Sequence, residues 1–317
     1  MTDIHTIIIG SGMTGLSCGL RLAEAGIKAT IFDKGRSIGG RMATRVSPEG
    51  FEFDHGAQYF KAKDDDFQRV VEEVRCADAV SNWGDGSGDQ HLVGTPRMNS
   101  FPAKLGEGLS VRQGINITQI YRDEDSWSVH TDDEVFDAEN VVITIPAPQI
   151  PALIGMGHPL SERLSAVKMT PCITLMAAFS GGQSADRRDI GLSDEDLVWI
   201  ANNSSKPGRT ASDCWVAQAS PLWSEARIDL PVKETGKEML SMLCSKIGFD
   251  PLDVKYVEVH RWKYANVSEP LGEPLLKDLT NSLFLGGDWC LAPRVEAAWL
   301  SGRAIALAII NKGCPEV

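Results

Sequence analysis

The chain has 317 residues, 43% of them hydrophobic, and a formal net charge of −12. So acidic a protein repels nucleic acid and anionic membranes, which excludes both as nonspecific partners. No apolar stretch reaches the roughly 18 residues of a membrane-spanning helix, and the N-terminus lacks the basic start of a signal peptide. Seven scattered cysteines without a C-x-x-C pair indicate reduced thiols and no zinc site. We therefore expect a cytoplasmic protein of about two domains.

The N-terminal segment predicts a strand–helix–strand unit. "HTIIIG" is a β-branched run that ends in Gly, and Met13 to Ala25 carries Leu and Ala at roughly helical spacing before Gly26. "KATIFDK" follows as a second strand. This order of elements is typical of a parallel βαβ unit.

The turn between the first strand and the helix carries a phosphate-binding pattern. Gly10, Gly12 and Gly15 form G-x-G-x-x-G, in which the glycines permit the tight turn, the approach of a pyrophosphate, and close packing of helix on strand. Met13 and Thr14 begin the helix, whose free N–H groups attract an anion. We predict that these five residues bind the pyrophosphate of a dinucleotide. NAD and FAD share the half that this unit contacts, so both remain open.

A second group of candidate cofactor residues follows the second strand. Asp33 ends that strand, where a carboxylate binds ribose hydroxyls. The next loop, "KGRSIGGRMATR", begins at Lys34; its Gly40 allows backbone to approach a ligand, and Arg36 and Arg41 can neutralise phosphate charge. A simple nicotinamide dehydrogenase would continue here with another βα unit. The loop therefore favours a flavin enzyme.

The remainder of the chain alternates between helical and strand-like segments. "DDDFQRVVEEVRCA" predicts a helix with acids at its start, and "SNWGDGSGDQHLVG" predicts two short strands around a turn. Residues 115–145 predict an antiparallel meander that returns to the parallel sheet. Helices are expected over 232–247 and 295–311. Further strand candidates are "CITLMAAF", "DLVWIANN", "CWVAQAS", "KYVEVHRW" and "SLFLGGD".

Several stretches of the sequence resemble one family. They are "GSGMTGLSCGLRLAEAGIKATIFDKGRSIGGRM", "FEFDHGAQYF", "SSKPGR", "HRWKYA" and "GDWCLAPRVEAAWLSG". The first resembles the opening of the flavin-containing amine oxidase superfamily, and the others resemble its renalase-like branch of the bacterial type. The resemblance covers essentially the whole chain. It implies an α/β fold, in which an FAD-binding Rossmann-like domain of the glutathione-reductase type contains an inserted α+β substrate domain with a mixed or antiparallel sheet.

The order of the elements suggests a discontinuous arrangement of these two domains. We expect the FAD-binding domain in residues 1–60, 106–150 and 270–317. The substrate domain would take residues 61–105 and 151–269. The resemblance implies that FAD is bound noncovalently, so that Cys290 is a buried thiol and not a flavin anchor.

The resemblance also implies which residues contact FAD. Ile117 would offer its backbone to adenine, and Asp288, which follows Gly287, would lie near the ribityl chain and pyrophosphate. Val295 and Glu296 would present backbone N–H groups to the pyrimidine edge of the flavin, where a helix start stabilises the negative charge of the reduced ring. The segment expected beside the ring runs from Asp54 to Phe60, and the cofactor contacts expected in it are His55, Gly56, Ala57 and Gln58.

Polar and aromatic residues near the expected flavin are candidate substrate contacts. The residues assigned to this role are Gln58, Tyr59, Phe60, Asn203 and Trp289. Trp199, Trp215 and Trp262 are further candidates for an aromatic-lined pocket, although Trp is buried on average. Arg209 and Arg261 could meet substrate phosphates or form an ion pair between the domains.

The resemblance implies an oxidase of isomeric dihydronicotinamides. Hydride from the 2- or 6-dihydro forms of NAD(P) would pass to flavin, and O2 would reoxidise the flavin to give NAD(P)+ and H2O2. Because a dihydropyridine loses no proton when it donates hydride, no base is needed, and His55 is more often structural. No protein residue is assigned a catalytic role, and no metal is expected. The alternatives are an amine oxidase or desaturase on the same fold, a nonenzymatic flavin-binding module, and an NAD-linked dehydrogenase.

Overall fold

The structure, a computed structural model, describes residues 6–84, 91–180, 189–191, 196–210 and 212–313. Cys314 and the turn expected after Gly84 lie outside the described residues. The strands are β1 Thr6–Ile9, β2 Ala29–Asp33, β3 Thr44–Val46, β4 Glu52–Asp54, β5 Val80–Trp83, β6 His91–Gly94, β7 Ser110–Gln113, β8 Ile117–Arg122, β9 Trp127–Thr131, β10 Val135–Ala138, β11 Asn140–Ile143, β12 Lys168–Phe179, β13 Asp189–Gly191, β14 Leu197–Asn202, β15 Asp213–Ala219, β16 Val254–Glu269, β17 Leu276–Lys277 and β18 Leu283–Leu285. The α-helices are α1 Met13–Glu24, α2 Asp65–Cys76, α3 Ser100–Leu105, α4 Pro151–Ile154, α5 Pro159–Leu164, α6 Pro221–Glu225, α7 Val232–Ile247 and α8 Val295–Ile310.

A six-stranded sheet in the order β17-β18-β11-β1-β2-β7 forms the centre of the nucleotide-binding part. Strands β18, β11, β1, β2 and β7 run parallel, and β17 is antiparallel to β18. All four residues of β1 are buried because both faces of the sheet are covered. Ile8 packs in the core that contains Leu16 of α1 and Ile305 of α8, whereas Ile7 and Ile9 face the opposite side.

The other face of this sheet is covered by the predicted meander. Strands β8, β9 and β10 form a three-stranded antiparallel sheet. Its buried residues Ile120, Val129 and Phe136 join the core around Ile7 and Ile9. β11 then leaves the meander and pairs in parallel with β1, as the sequence predicts.

A five-stranded antiparallel sheet, in the order β13-β14-β15-β12-β16, forms the second part of the molecule. One face is apolar: Leu175, Trp215 and Ala217 pack with Met239 and Leu243 of α7. This explains why α7 occupies the predicted range, since its apolar residues recur at helical spacing and Gly248, at φ 76°, ends it in the left-handed conformation.

The opposite face of the five-stranded sheet carries a polar and aromatic row. Trp199 pairs with Gln218, Gln218 with Thr174, and Thr174 with His260, so four neighbouring strands align these side chains on one face. Two positions along β16 from His260, Trp262 pairs with Cys172 and shares this face. We call Trp199, Gln218, Thr174, His260 and Trp262 the polar row. Segment 54–58 lies against it.

The expected fold class is confirmed: a Rossmann-like FAD-binding architecture combined with a second, antiparallel sheet. The domain boundaries stay a prediction. The short helices α3 to α6 were not predicted from the sequence, and the predicted strand "KYVEVHRW" covers only the first half of β16, which runs for 16 residues. Within the described residues, none of the helices combines the length and the apolar character needed to cross a membrane.

Candidate active site

The glycine loop leaves open space at the start of α1. Gly10 has φ 110°, a value that favours glycine, and a Cβ at position 15 would lie 2.0 Å from the carbonyl oxygen of Gly10. Gly12 differs, because its φ of −75° suits any residue and a Cβ there would meet no atom within 4 Å. The first turn of α1 contains no acidic residue. An anion can therefore approach the backbone N–H groups of α1 through the space beside Gly12.

Asp33 fixes the loop from the end of β2. Its Oδ2 accepts hydrogen bonds from the Ser11 backbone N–H (2.6 Å) and hydroxyl (2.8 Å), and its Oδ1 accepts one from Gly35 N–H (2.6 Å). The backbone N–H of Ile115 donates to the carbonyl of Asp33 (3.0 Å), which brings the start of β8, and with it Ile117, to this end of the sheet. Lys34 is exposed at the same edge. These residues lie where the adenosine end of a dinucleotide is expected.

Arg41 and Asp288, both predicted cofactor contacts, bind each other across 247 residues of sequence. The guanidinium donates from Nη1 to Oδ2 (2.9 Å) and from Nη2 to Oδ1 (2.6 Å) of the buried Asp288, and from Nη1 to the Ala265 carbonyl (2.8 Å). Gly287 donates its N–H to Ser301 Oγ (3.0 Å). The bidentate pair neutralises a carboxylate that would otherwise repel a pyrophosphate.

Segment 54–58 lies against the loop that holds Arg41. A Cβ on Gly56 would lie 2.0 Å from the Arg41 carbonyl oxygen, which also accepts the Ala57 N–H at 2.8 Å. A Cβ on Gly40 would in turn lie 3.5 Å from Gly12 Cα. The glycine loop, the Gly40–Arg41 turn and segment 54–58 are therefore consecutive neighbours, as an extended dinucleotide requires. With the open space at Gly12, this arrangement fits FAD.

Three charged side chains are buried behind segment 54–58. The Asp54 carboxylate accepts hydrogen bonds at Oδ2 from Lys206 Nζ (3.1 Å) and Arg209 Nη2 (2.5 Å), and all three side chains are almost inaccessible to solvent. Burial alone raises the pKa of Asp54, but Lys206 and Arg209 outweigh it and hold the pKa below its usual range. Lys206 also donates to Gln58 Oε1 (3.1 Å) and lies over the Trp83 ring. We call Asp54, Lys206 and Arg209 the ionic cluster.

Most of the ionic cluster was not predicted from the sequence. An ion pair was one expectation for Arg209, but Lys206 had no expected role, because lysine is rarely buried completely. Asp54 was expected only as the start of a flavin-facing segment. The sole signal in the sequence was the spacing of Lys206 and Arg209 around Pro207-Gly208.

His55 is buried in a ring cluster at the interface with β16. Its imidazole stacks on Trp262 (centroids 5.3 Å apart) and meets His260 edge-on (4.9 Å). Burial lowers the pKa of His55 to about 4, with the nearby His260 and Arg45 acting in the same direction. Burial also lowers the pKa of His260. Both imidazoles are therefore neutral at pH 7, and the structure agrees with the structural role that the sequence favoured for His55.

Four side chains that are predicted substrate contacts are buried and make their contacts within the protein. Phe60 stacks on Phe101 in the core and is 2% exposed. Asn203 is fully buried, and its amide accepts from Asp54 N–H (3.2 Å) and donates to the Glu52 carbonyl (2.9 Å). Neither side chain reaches the protein surface, and the assignment of both residues as substrate contacts stays a prediction.

Trp289 and Gln58 are buried as well, and their assignment as substrate contacts also stays a prediction. Trp289 is 1% exposed, and its Nε1 donates to the Ile145 carbonyl (3.1 Å). The Gln58 amide donates to the carbonyls of Asp54 (2.5 Å) and Gly56 (3.0 Å) and accepts from Lys206. These hydrogen bonds hold segment 54–58 in place and are made within the protein.

The remaining aromatic candidates divide according to the face they occupy. Tyr59 is partly exposed, stacks on His91 (3.6 Å) and lies 5.5 Å from Trp199. Trp199 and Trp262 are half-buried on the polar row. Trp215 is fully buried on the opposite face, against α7. Tyr59, Trp199 and Trp262 are thus the aromatic side chains that can present a flat surface to a ligand.

The C-terminal helix begins at the predicted residue. Val295 and Glu296 open α8, where the first N–H groups of a helix have no intrahelical acceptor. The buried Glu296 carboxylate points elsewhere, since it accepts the backbone N–H groups of Lys63 and Asp64 ahead of α2. Arg261 donates to the Ile228 and Leu230 carbonyls at the surface, which makes it a structural residue. Burial raises the pKa of the Cys290 thiol to about 12, so it is a poor nucleophile for a covalent flavin link.

Fold and glycine loop together define a Rossmann-like dinucleotide-binding protein. Residues 8–74 match the NAD(P)-binding Rossmann-like domain, and residues 82–310 match the flavin containing amine oxidoreductase family. The chain belongs to this second family, a family of flavin-dependent oxidoreductases whose cofactor is FAD.

Solved structures of other proteins match the fold of nearly the whole chain. A protein from Exiguobacterium sp. 255-15 assigned as a protoporphyrinogen oxidase has a TM-score of 0.79 at 13% identity, and cyclohexylamine oxidase from Brevibacterium oxydans has 0.73 at 13%. Putrescine oxidase with bound putrescine has 0.70 at 12% identity. Each comparison covers 98% of this chain and 99% of the other, and at these identities it shows the fold alone.

Curated relatives match only a short segment. The 4,4'-diaponeurosporene oxygenase of Staphylococcus haemolyticus is 43% identical over 56 residues, 18% of this chain and 11% of the relative. The 4,4'-diapophytoene desaturase of Staphylococcus aureus is 45% identical over 49 residues, 16% and 10% of the two chains. The matched segment thus spans about a tenth of the length of these relatives.

The glycine loop makes a paired prediction. Gly12→Ala leaves the free energy of unfolding of the FAD-free protein unchanged, because the backbone suits Ala and the space is open, but it weakens FAD binding at least about tenfold by filling the pyrophosphate space. Gly15→Ala instead destabilises the FAD-free protein, since its Cβ collides with Gly10. Denaturant unfolding and titration of FAD fluorescence measure the two effects. Wild-type affinity for FAD in Gly12→Ala would contradict the assignment.

The ionic cluster makes a prediction about stability. Asp54→Asn leaves Lys206 and Arg209 buried without their anion, and the free energy of unfolding should fall by about 3–5 kcal/mol. The matched control is Glu238→Gln, which breaks the surface ion pair with Arg227 and should cost less than about 1 kcal/mol. Urea unfolding at pH 7 measures both. Equal losses in the two variants would show that the cluster is not the buried support described above.

His55 makes a prediction about pH. Its pKa is about 4 in the folded protein against 6.5 for the ordinary group, so the unfolded chain takes up a proton first and stability falls as the pH drops from 6.5 to 4. His55→Asn should lower the number of protons taken up on unfolding by up to one. The slope of stability against pH then becomes smaller but keeps its sign, because His260 still contributes. Urea unfolding at several pH values in this window gives the slope. A variant with an unchanged slope would mean that His55 titrates normally.

Proposed function

We propose that this protein is a renalase-like FAD-dependent oxidase. Its substrates would be the 2- and 6-dihydro isomers of NAD(P)H, and its products NAD(P)+ and H2O2. The observation that carries the proposal is the neutral, partly aromatic polar row opposite segment 54–58. The renalase-like motifs in the sequence support the same conclusion.

The composition of the polar row suits a flat and uncharged ring. Trp199 and Trp262 present aromatic faces, Tyr59 lies beside Trp199, and His260 is neutral. Glu258, the nearest acid along β16, is already paired with Arg45. A dihydropyridine is flat and neutral, so it can stack on these aromatic faces. An alkylammonium group carries a positive charge, which needs an anion or a closed aromatic cage without a competing cation to stabilise it.

When bound, FAD would supply the hydride acceptor and the route by which two electrons reach O2, with one proton from solvent completing H2O2. The protein's own residues orient the substrate and exclude water. The substrate carbon gives up hydride and no proton, so no residue has to act as a base toward it. The neutral, stacked His55 is consistent with this requirement.

We assign cofactor binding to three neighbouring parts of the chain: the glycine loop with Asp33, the Gly40–Arg41 turn with segment 55–58, and the start of α8 after Asp288. The division of the chain into two domains, at the boundaries expected from the sequence, is part of the same proposal. The polar row then lies on the substrate domain, and segment 54–58 separates it from the nucleotide-binding sheet.

Amine oxidation or desaturation is the second candidate. Family membership favours it, together with the likeness in fold to cyclohexylamine oxidase and putrescine oxidase and the short match to a diapophytoene desaturase. A flavin-binding module without enzymatic activity is the third candidate.

Anaerobic stopped-flow mixing separates these functions. The FAD-loaded protein is mixed with 2- and 6-dihydro-NAD, ordinary 4-dihydro NADH, putrescine and cyclohexylamine, and bleaching of the flavin is followed. We expect the 2- or 6-dihydro isomers to bleach the flavin at least about a hundredfold faster than NADH or either amine. Admission of O2 should then yield one H2O2 per substrate oxidised.

Free FAD at the same concentration is the control for nonenzymatic reduction. Bleaching by an amine, with no response to dihydropyridine isomers, would replace the proposal by amine oxidation. Failure of every reductant would favour the nonenzymatic module.

A further inference from the structure

The middle of the polar row is anchored to segment 54–58 by two side chains. Gln218 Nε2 donates to the Gly56 carbonyl (2.8 Å), and Trp262 Nε1 donates to the His55 carbonyl (2.9 Å). Two consecutive carbonyls are therefore held by β15 and β16, the strands on either side of β12. These bonds fix both the distance and the orientation of the row relative to the segment expected beside the flavin.

The bond to Gly56 determines how the Gln218 amide is oriented. Since Nε2 faces a carbonyl oxygen, Oε1 must be the other end of the amide. Within the described part of the chain, Oε1 accepts no hydrogen bond, and the side chain is half-buried. Gln218 thus offers one fixed acceptor in the centre of the row. Its neighbours in the row are the Trp199 indole and the small, buried Thr174.

The charges around this acceptor disfavour an anionic partner. Among the described residues, Arg45, the cation close to His260, is paired with Glu258, and both imidazoles of the ring cluster are neutral. A carboxylate at Gln218 Oε1 would set oxygen against oxygen, and Arg45 is not free to compensate it. A carboxamide N–H2 has the required donor and remains coplanar with the ring that carries it.

We propose that Gln218 is a specificity-determining residue that accepts a hydrogen bond from the carboxamide of the substrate ring. This inference rests on the proposed function, because it assigns a recognition element to a dihydronicotinamide substrate. The Trp199 indole, next to Gln218 in the row, would lie beside the substrate ring, and Gln218 would fix the rotation of the ring in its own plane. The site consequently selects carboxamide-bearing pyridines against their carboxylate analogues.

Binding of two product analogues tests the proposal without turnover. The probes are NAD+ and its deamidated analogue, nicotinic acid adenine dinucleotide, titrated into FAD-loaded protein while the perturbation of the flavin absorption spectrum is followed. Wild-type protein should bind NAD+ at least about tenfold more tightly than the deamidated analogue. Gln218→Leu should bind NAD+ about tenfold more weakly than wild type and should lose the preference, because no acceptor remains.

Two control variants separate recognition from loss of structure. Trp262→Phe removes the neighbouring anchor to His55 but keeps the Gln218 acceptor, so the preference for NAD+ should persist. Gln68→Leu removes an exposed glutamine that donates to the carbonyls of Ala62 and Lys63, and it should match wild type. The flavin spectrum and the unfolding midpoint of each variant report whether the fold is intact.

The outcomes distinguish this inference from the proposed function. If wild type binds NAD+ selectively and an intact Gln218→Leu variant keeps the same preference, the assignment of Gln218 is wrong and the proposed function stands. If Trp262→Phe also loses the preference, the anchoring of the segment, and not the acceptor, determines it, and the assignment again fails. If wild-type protein binds neither nucleotide, the proposed function itself is overturned.

Discussion

The buried carboxylate of Asp54 is the interaction on which the site depends. One anion receives hydrogen bonds from two cations, Lys206 and Arg209, and none of the three side chains reaches solvent. A buried charge without its partner is expensive, so the position of β4, which ends at Asp54, is strongly coupled to that of the loop that carries Lys206 and Arg209. Segment 54–58 follows directly from Asp54. Its placement against Arg41 on one side and the polar row on the other therefore depends on this cluster.

Features that depend on local sequence were predictable, whereas those that depend on strand register were not. The glycine loop occupies one βα turn, and α7 is defined by its own periodicity and by Gly248. Trp199 and Trp215 look equivalent in sequence, but the pairing of β14 with β15 places one on the polar row and the other against α7. A shift of one residue in either strand would exchange these faces.

The predicted substrate contacts that are buried show that neighbours in sequence need not share an environment. Phe60 follows Tyr59 directly, so proximity to an expected site residue suggested a shared role. Successive side chains in an extended segment point in opposite directions, and Phe60 enters the core while Tyr59 stays partly exposed. Trp289 lies with Asp288 in a short 3-10 helix, and both side chains are buried. Lys206 illustrates the opposite error, because a residue type that is normally solvated became functional support once a buried anion lay within reach.

Charge also bears on the choice between an amine and a dihydropyridine. In the described part of the polar row and the ring cluster beside it, both imidazoles are neutral at pH 7, and Glu258, the nearest acid along β16, is already paired with Arg45. An ammonium substrate brings a positive charge that is stabilised by an unpaired anion beside it. A dihydropyridine enters as a neutral ring and becomes a pyridinium cation only after hydride has left. The proposed substrate therefore matches the charge of this surface better than an amine does.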